Sequence, residues 1–132
     1  MNFKFYLLPL FFITALNCFA VDVLVNDSGF ASPYYSFSID DGATDFNFIN
    51  EGSDSLNVGI EYTFTGNNSS DHPFSMFITD SLGNTTNLIS NLSFRGSQSF
   101  TLDPNTDYSS YTKTYICDAH SVMVGSFNIV PE

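Results

Sequence analysis

Cationic side chains are nearly missing from this chain: three Lys and Arg residues stand against 14 Asp and Glu in 132 residues. A surface so negative repels phosphate backbones and anionic headgroups, which excludes nucleic acid and anionic membranes as partners and favours encounter with a cationic protein. The plainer consequence of the same charge is solubility. Tryptophan is absent, and histidine and cysteine occur twice each. A chemistry that needs several histidine clusters, or a framework of disulfides, therefore has no material to build from. Amphipathic helical periodicity is missing as well, and no apolar run is long enough for a comfortable membrane span.

The longest apolar stretch lies at the start, where Lys4 precedes Phe5 to Leu16 and Asn17-Cys18-Phe19-Ala20 follow. A basic residue, a short apolar core interrupted by Pro9 and a small residue at the end form the plan of a secretory signal peptide. Residues 1–20 are expected to be such a leader, cleaved after Ala20. Cys18 raises lipoprotein processing as an alternative, against which Asn17 is a poor preceding residue. Cleavage leaves residues 21–132, a length that suits one small domain with one core. Arg95 and Lys113 then face all 14 acids, a formal charge of −12. One cysteine also remains, Cys117. In a periplasmic or secreted protein, where cysteines normally pair, a lone thiol asks for an explanation, and metal ligation supplies one.

What is present is short-period alternation. Leu56-Asn57-Val58-Gly59-Ile60-Glu61-Tyr62-Thr63-Phe64 places an apolar residue at every even position, the pattern of a strand with one face in the core. Similar runs occur at 21–25, 35–39, 46–49, 74–78, 87–89, 98–102, 114–117 and 126–130. Between them stand turn-forming clusters such as Asp40-Asp41-Gly42, Ser81-Leu82-Gly83-Asn84 and Asp103-Pro104-Asn105. The expected fold is all-β, a sandwich of seven to nine short strands. Fifteen Phe and seven Tyr predict an aromatic-rich core. Asp40 and Asp41 read as turn residues rather than a catalytic pair, since no base or nucleophile stands near them in sequence. Asn26, Asn68, Asn84 and Asn91 each open an Asn-x-Ser/Thr triplet, a pattern that an Asn- and Ser-rich chain also produces by chance.

Both histidines fall in two short motifs, Asp71-His72-Pro73-Phe74 and Cys117-Asp118-Ala119-His120-Ser121-Val122-Met123. Each residue alone has a plain reading: His72 as a surface histidine, Cys117 as a small buried hydrophobe, Met123 and Met76 as core. Together, two imidazoles, a thiolate and a thioether are the donor set of a blue-copper electron-transfer centre, with His2Cys in a plane and Met as a long axial ligand. Even parity places His72, Phe74, Met76 and Ile78 on one strand face. Cys117 ends a strand whose Tyr115 shares its face, and His120 and Met123 are expected on a tight loop braced by the strand that follows.

At these residues the chain resembles the cupredoxin family, whose members include plastocyanin, pseudoazurin and amicyanin. His72 precedes Cys117 by 45 residues, and the spacing C-x2-H-x2-M is most similar to that of amicyanin. The resemblance implies a cupredoxin-like Greek-key sandwich that binds one copper through His72, Cys117, His120 and Met123. It implies single-electron carriage between redox partners, such as a basic cytochrome or a copper oxidoreductase, by a monomer that is not itself an enzyme. It also implies that His120 lies near the surface, ringed by Pro73, Val122 and Phe74. One departure stands out: many relatives have Asn after the first histidine, where its backbone N–H bonds the cysteine sulfur, and Pro73 has no N–H to give. A lowered reduction potential is the expectation. Two other functions remain open from sequence, a copper carrier or storage protein and a metal-free interaction module. The small number of methionines weighs against the carrier, and the intact donor set weighs against the module.

Overall fold

The computed structural model describes residues 20–130. The expected leader, Cys18 included, lies outside the described residues, apart from Ala20, which opens the first strand. Among the described residues there is no helix, and the chain forms an all-β sandwich. Its strands are β1 (Ala20–Asp27), β2 (Tyr35–Ile39), β3 (Thr44–Asp45), β4 (Leu56–Asn57), β5 (Glu61–Gly66), β6 (Phe74–Thr79), β7 (Thr85–Leu92), β8 (Ser97–Thr101), β9 (Thr112–Cys117), β10 (His120–Ser126) and β11 (Ile129–Val130). One sheet has the order β3-β2-β1-β5-β8, the other β10-β9-β6-β7, and β11 pairs with β4 as a small third piece.

The alternation in sequence becomes the two-sided burial of each strand. In β5, Tyr62 and Phe64 are buried while Glu61 is exposed; in β6, Phe74, Met76 and Ile78 are buried, as their shared parity requires. The two inner faces meet in an aromatic core. Phe37 packs on Phe48 with ring centroids 4.6 Å apart, Tyr35 on Phe74 at 5.0 Å, and Phe64 stacks on Phe74 at 6.3 Å. Removing each such ring from water contributes about 1.5–3 kcal/mol.

One expected strand is divided and another is reduced to a single bridge. The 56–64 run breaks at Gly59, whose φ of +74° takes the chain through the left-handed region that a residue without Cβ enters freely. Parity survives the break, because Leu56 stays buried against Ile129 while Tyr62 resumes the core face. The 46–49 run keeps its buried Phe46, Phe48 and Ile49 but forms only a single bridge, Ile49 to Phe127. Asn50 and Glu51, both at positive φ, turn the chain away before a ladder can grow.

Register brings one set of strand ends together. Parallel pairing of β1 with β5 sets Val25 beside Gly66. Phe74 lies opposite both Leu92 and Cys117, and His120 opposite Cys117. The end of β1, the start of β2, the loop before β6 and the β9–β10 hairpin thus converge at one edge of the sandwich, and both histidines and Cys117 lie there.

Candidate metal centre

The first element of the site is the loop between β5 and β6. Its anchor is Asn68, fully buried, whose side-chain NH2 donates to the His72 carbonyl (2.7 Å) and the Leu92 carbonyl (2.8 Å). The Tyr35 hydroxyl, from the facing sheet, donates to the same His72 carbonyl at 3.1 Å and reaches the Pro73 carbonyl at 3.3 Å. Held in this way, the His72 side chain is 12% exposed. Its Nδ1 lies 3.7 Å from Asp27 Oδ2, beyond hydrogen-bond range, and has no hydrogen-bond partner. A buried imidazole nitrogen left unpaired is costly unless something else uses its lone pair or proton.

The second element is the β9–β10 hairpin. Cys117, a free and fully buried thiol, is separated from His120 by the two-residue turn Asp118-Ala119. The turn is fastened from outside, since the Asp118 amide donates to the Pro73 carbonyl (3.0 Å) and the Ser75 hydroxyl donates to the Asp118 carboxylate. Ser75 in turn accepts from the Asn91 amide of β7 at 2.8 Å. Cys117 Sγ and His120 Nδ1 are 3.6 Å apart. Pairing then jumps from Cys117–His120 to Ile116–Val124, so Ser121, Val122 and Met123 form a bulge with no partners across the ladder. Within it Val122 points to solvent and Met123 is fully buried.

The expected tight loop is thus shorter than the sequence suggested: a two-residue turn, with His120 and Met123 already on a bulged strand. The two imidazoles meet with centroids 5.1 Å apart and their planes at 79°. The expected ring around His120 is corrected in part. Val122 is exposed, but Pro73 and Phe74 are buried beneath the site, and the side chain that touches His120 from outside is Phe30 of the β1–β2 connection. Phe30 is also in contact with His72.

Among the described residues no three or more His, Cys, Asp and Glu side chains are grouped so that they could hold a metal ion. One donor pair has a separation compatible with a shared metal ion. Two donors on one ion, sulfur at about 2.3 Å and imidazole nitrogen at about 2.0 Å as found on zinc, stand roughly 3.5–3.8 Å apart. That is the Cys117–His120 separation, while His72 Nδ1 has no hydrogen-bond partner and lies 3.7 Å from the Asp27 carboxylate. Tyr35 shares this neighbourhood: burial, and then the adjacent Cys117 sulfur, push its hydroxyl well above the usual tyrosine range. It is a neutral donor at any physiological pH.

Sequence reasoning missed Asn68, Tyr35 and Phe30. Asn68 looked like one more polar turn residue and a glycosylation acceptor, a role its burial excludes in the folded chain. Phe30 carried a signal, an aromatic residue flanked by Ser, Gly, Ala and Pro in a loop. Comparison with known proteins finds no matching family model, no matching curated protein and no matching solved structure.

Proposed function

We propose that the chain is a cupredoxin-type protein that holds one copper ion through His72, Cys117, His120 and Met123 and carries single electrons between redox proteins. The observation that carries this reading is the 3.6 Å approach of Cys117 Sγ to His120 Nδ1 beside a buried, unpaired His72 Nδ1. Copper bound by such a set supplies a one-electron Cu(II)/Cu(I) couple. The chain's own contribution is to fix the donors before metal arrives.

Asn68 and Tyr35 grip the backbone of His72, while Ser75 and the Pro73 carbonyl grip the turn after Cys117. Donors held by packing and by hydrogen bonds on both sides do not rearrange when the charge of the site changes by one, which is what rapid electron exchange requires. Burial of Cys117 and Met123 keeps water from the sulfur donors, and the half-exposed His120 is the member of the set nearest solvent on the hairpin. With a formal charge of −12 after loss of the leader, the partner that the surface selects is a basic one, a cytochrome or copper oxidoreductase. Export to the periplasm or medium belongs to the same reading, as does a monomeric state.

The alternative of a copper carrier is weakened by the closed sulfur donors, because a metal handed between proteins needs ligands the recipient can reach. The test is redox cycling. Residues 21–132 loaded with Cu(II) should show an intense thiolate-to-copper band in the orange-red that bleaches with ascorbate, returns with ferricyanide and survives repeated cycles with the copper retained. Copper released into solution on each reduction would favour carriage, and a chain that takes up no copper would leave the metal-free module.

A further inference from the structure

Phe30 lies in the seven-residue connection between β1 and β2 and is 64% exposed, whereas Tyr34 of the same connection packs against the core. An antiparallel pair needs as few as two residues to turn. The surplus carries Phe30 to the histidines. Its ring centroid lies 5.0 Å from that of His72 and 4.9 Å from that of His120, at interplanar angles of 81° and 85°. With the 5.1 Å between the imidazoles, the three centroids form a nearly equilateral triangle of mutually edge-on rings. Edge-to-face contact is a preferred arrangement for aromatic pairs, because a positive ring edge meets a negative face.

The connection that bears Phe30 is tied down on both sides. The Asp27 carboxylate accepts from the Ser69 amide of the loop that carries His72. Across the loop's own neck the Ser28 amide donates to the Tyr34 carbonyl at 2.7 Å, and the Tyr115 hydroxyl donates to the Pro33 carbonyl at 2.9 Å. Gly29, at φ +78°, supplies the left-handed step immediately before Phe30.

We propose that Phe30 is a positioning residue for the two imidazoles, locking both rings in their mutual orientation and shielding their outer side from solvent and competing ligands. As a statement about copper it rests on the function proposed above; as a statement about the histidines it stands alone. Because the chain contains two histidines in all, chemical modification reports on the pair without background.

The experiment is carbethoxylation of the metal-free protein by diethyl pyrocarbonate at pH 8, followed at each histidine by mass spectrometry, in wild type, Phe30→Ala and Phe30→Tyr. Loss of two ring contacts should raise the rate at both His72 and His120 on the order of tenfold in Phe30→Ala. Phe30→Tyr, which keeps the ring, should restore the wild-type rate, and the thermal midpoint should stay unchanged in both variants. In copper-loaded protein the same alanine variant should lose metal to a chelator faster by a similar factor. Equal modification rates in wild type and Phe30→Ala would overturn the proposal. So would a faster rate accompanied by a lower thermal midpoint, since Phe30 would then be a general support of the fold. Failure of all three proteins to bind copper would sink the copper reading and leave the carbethoxylation result to decide the role of Phe30.

Discussion

The two ends of this sandwich solve the same problem of turning the chain in opposite ways. At the end away from the histidines, turns look after themselves: Asp80 accepts from the Leu82 and Asn84 amides, Asp103 from the Asn105 amide and the Thr106 hydroxyl, and Asp107 from the Ser109 amide. Every one of these partners is within four residues. At the histidine end a local bond such as Asn68 to His72 is joined by remote ones, from Asn68 to Leu92, Tyr35 to His72, Tyr115 to Pro33 and Asp118 to Pro73. The buried side-chain polar atoms left without a partner among the described residues, His72 Nδ1 and Asn68 Oδ1, are both at that end. One end is locally consistent; the other is held by the whole fold and still leaves donors unpaired, the pattern expected where structure is kept for a function.

The sharpest way to break this comparison is to disturb the backbone at each end. A Cβ on Gly66 would stand 2.0 Å from the Ser93 carbonyl oxygen and 2.9 Å from Asn68 Oδ1, whereas one on Gly83 would meet nothing within 4 Å. Gly66→Ala should cost about 3 kcal/mol or more, visible as a thermal midpoint roughly 10 °C or more lower. Gly83→Ala carries only the strain of its positive φ, about 1 kcal/mol. Equal losses would mean that the histidine end is no more tightly determined than the other.

Next in size is Asn68→Ala, which strips a partner from two carbonyls and should cost about 2–3 kcal/mol in chemical denaturation. Copper affinity should fall with it, because the His72 backbone loses its deepest anchor. An Asn68→Ala protein of normal stability and normal copper affinity would show that the anchor is ornamental.

Pro73→Asn is smaller in stability but specific in chemistry. On the proposed cupredoxin reading the added backbone N–H would bond the Cys117 sulfur, and since hydrogen bonds to a thiolate favour the reduced metal, the reduction potential should rise by tens of millivolts in voltammetry. An unchanged or lower potential would sink that account.

The smallest effect belongs to the remote turns. Hydrogen bonds from nearby backbone and side chains hold the carboxyls of Asp80, Asp103 and Asp107 below the usual aspartate range. A carboxyl lowered in the folded state contributes stability that is fully present above the unfolded value, near pH 4, and is lost as pH falls through the folded value. Thermal midpoints measured between pH 7 and 2 should therefore decline less steeply in the triple Asp→Asn variant than in wild type, with wild type the more stable at pH 7 and the two converging towards pH 2. Parallel curves would refute the local account of these turns.

The same contrast explains what could be read from the chain. Strands and remote turns were legible because their causes are local, alternation in one case and Asp followed by amides in the other. Gly59 divided the 56–64 strand because a positive φ leaves only a weak mark in sequence. At the site, His72, Cys117 and His120 were found from donor chemistry and spacing, and the fold brings them together. Met123 shares the buried bulge after His120. Tyr35 left no mark because its partner lies 37 residues away, and Asn68 because its burial depends on the fold that brings Leu92, 24 residues on, within reach. Phe30 acts through ring contacts that only the folded β1–β2 connection creates.

Titration of the metal-free chain with Cu(II), followed in the visible spectrum, tests the central claim most directly. The account predicts an intense thiolate-to-copper band that saturates at one copper per chain, disappears in Cys117→Ser and is weakened or shifted in His72→Ala and His120→Ala. A wild-type protein that binds no copper, or a band of equal strength in Cys117→Ser, would contradict it.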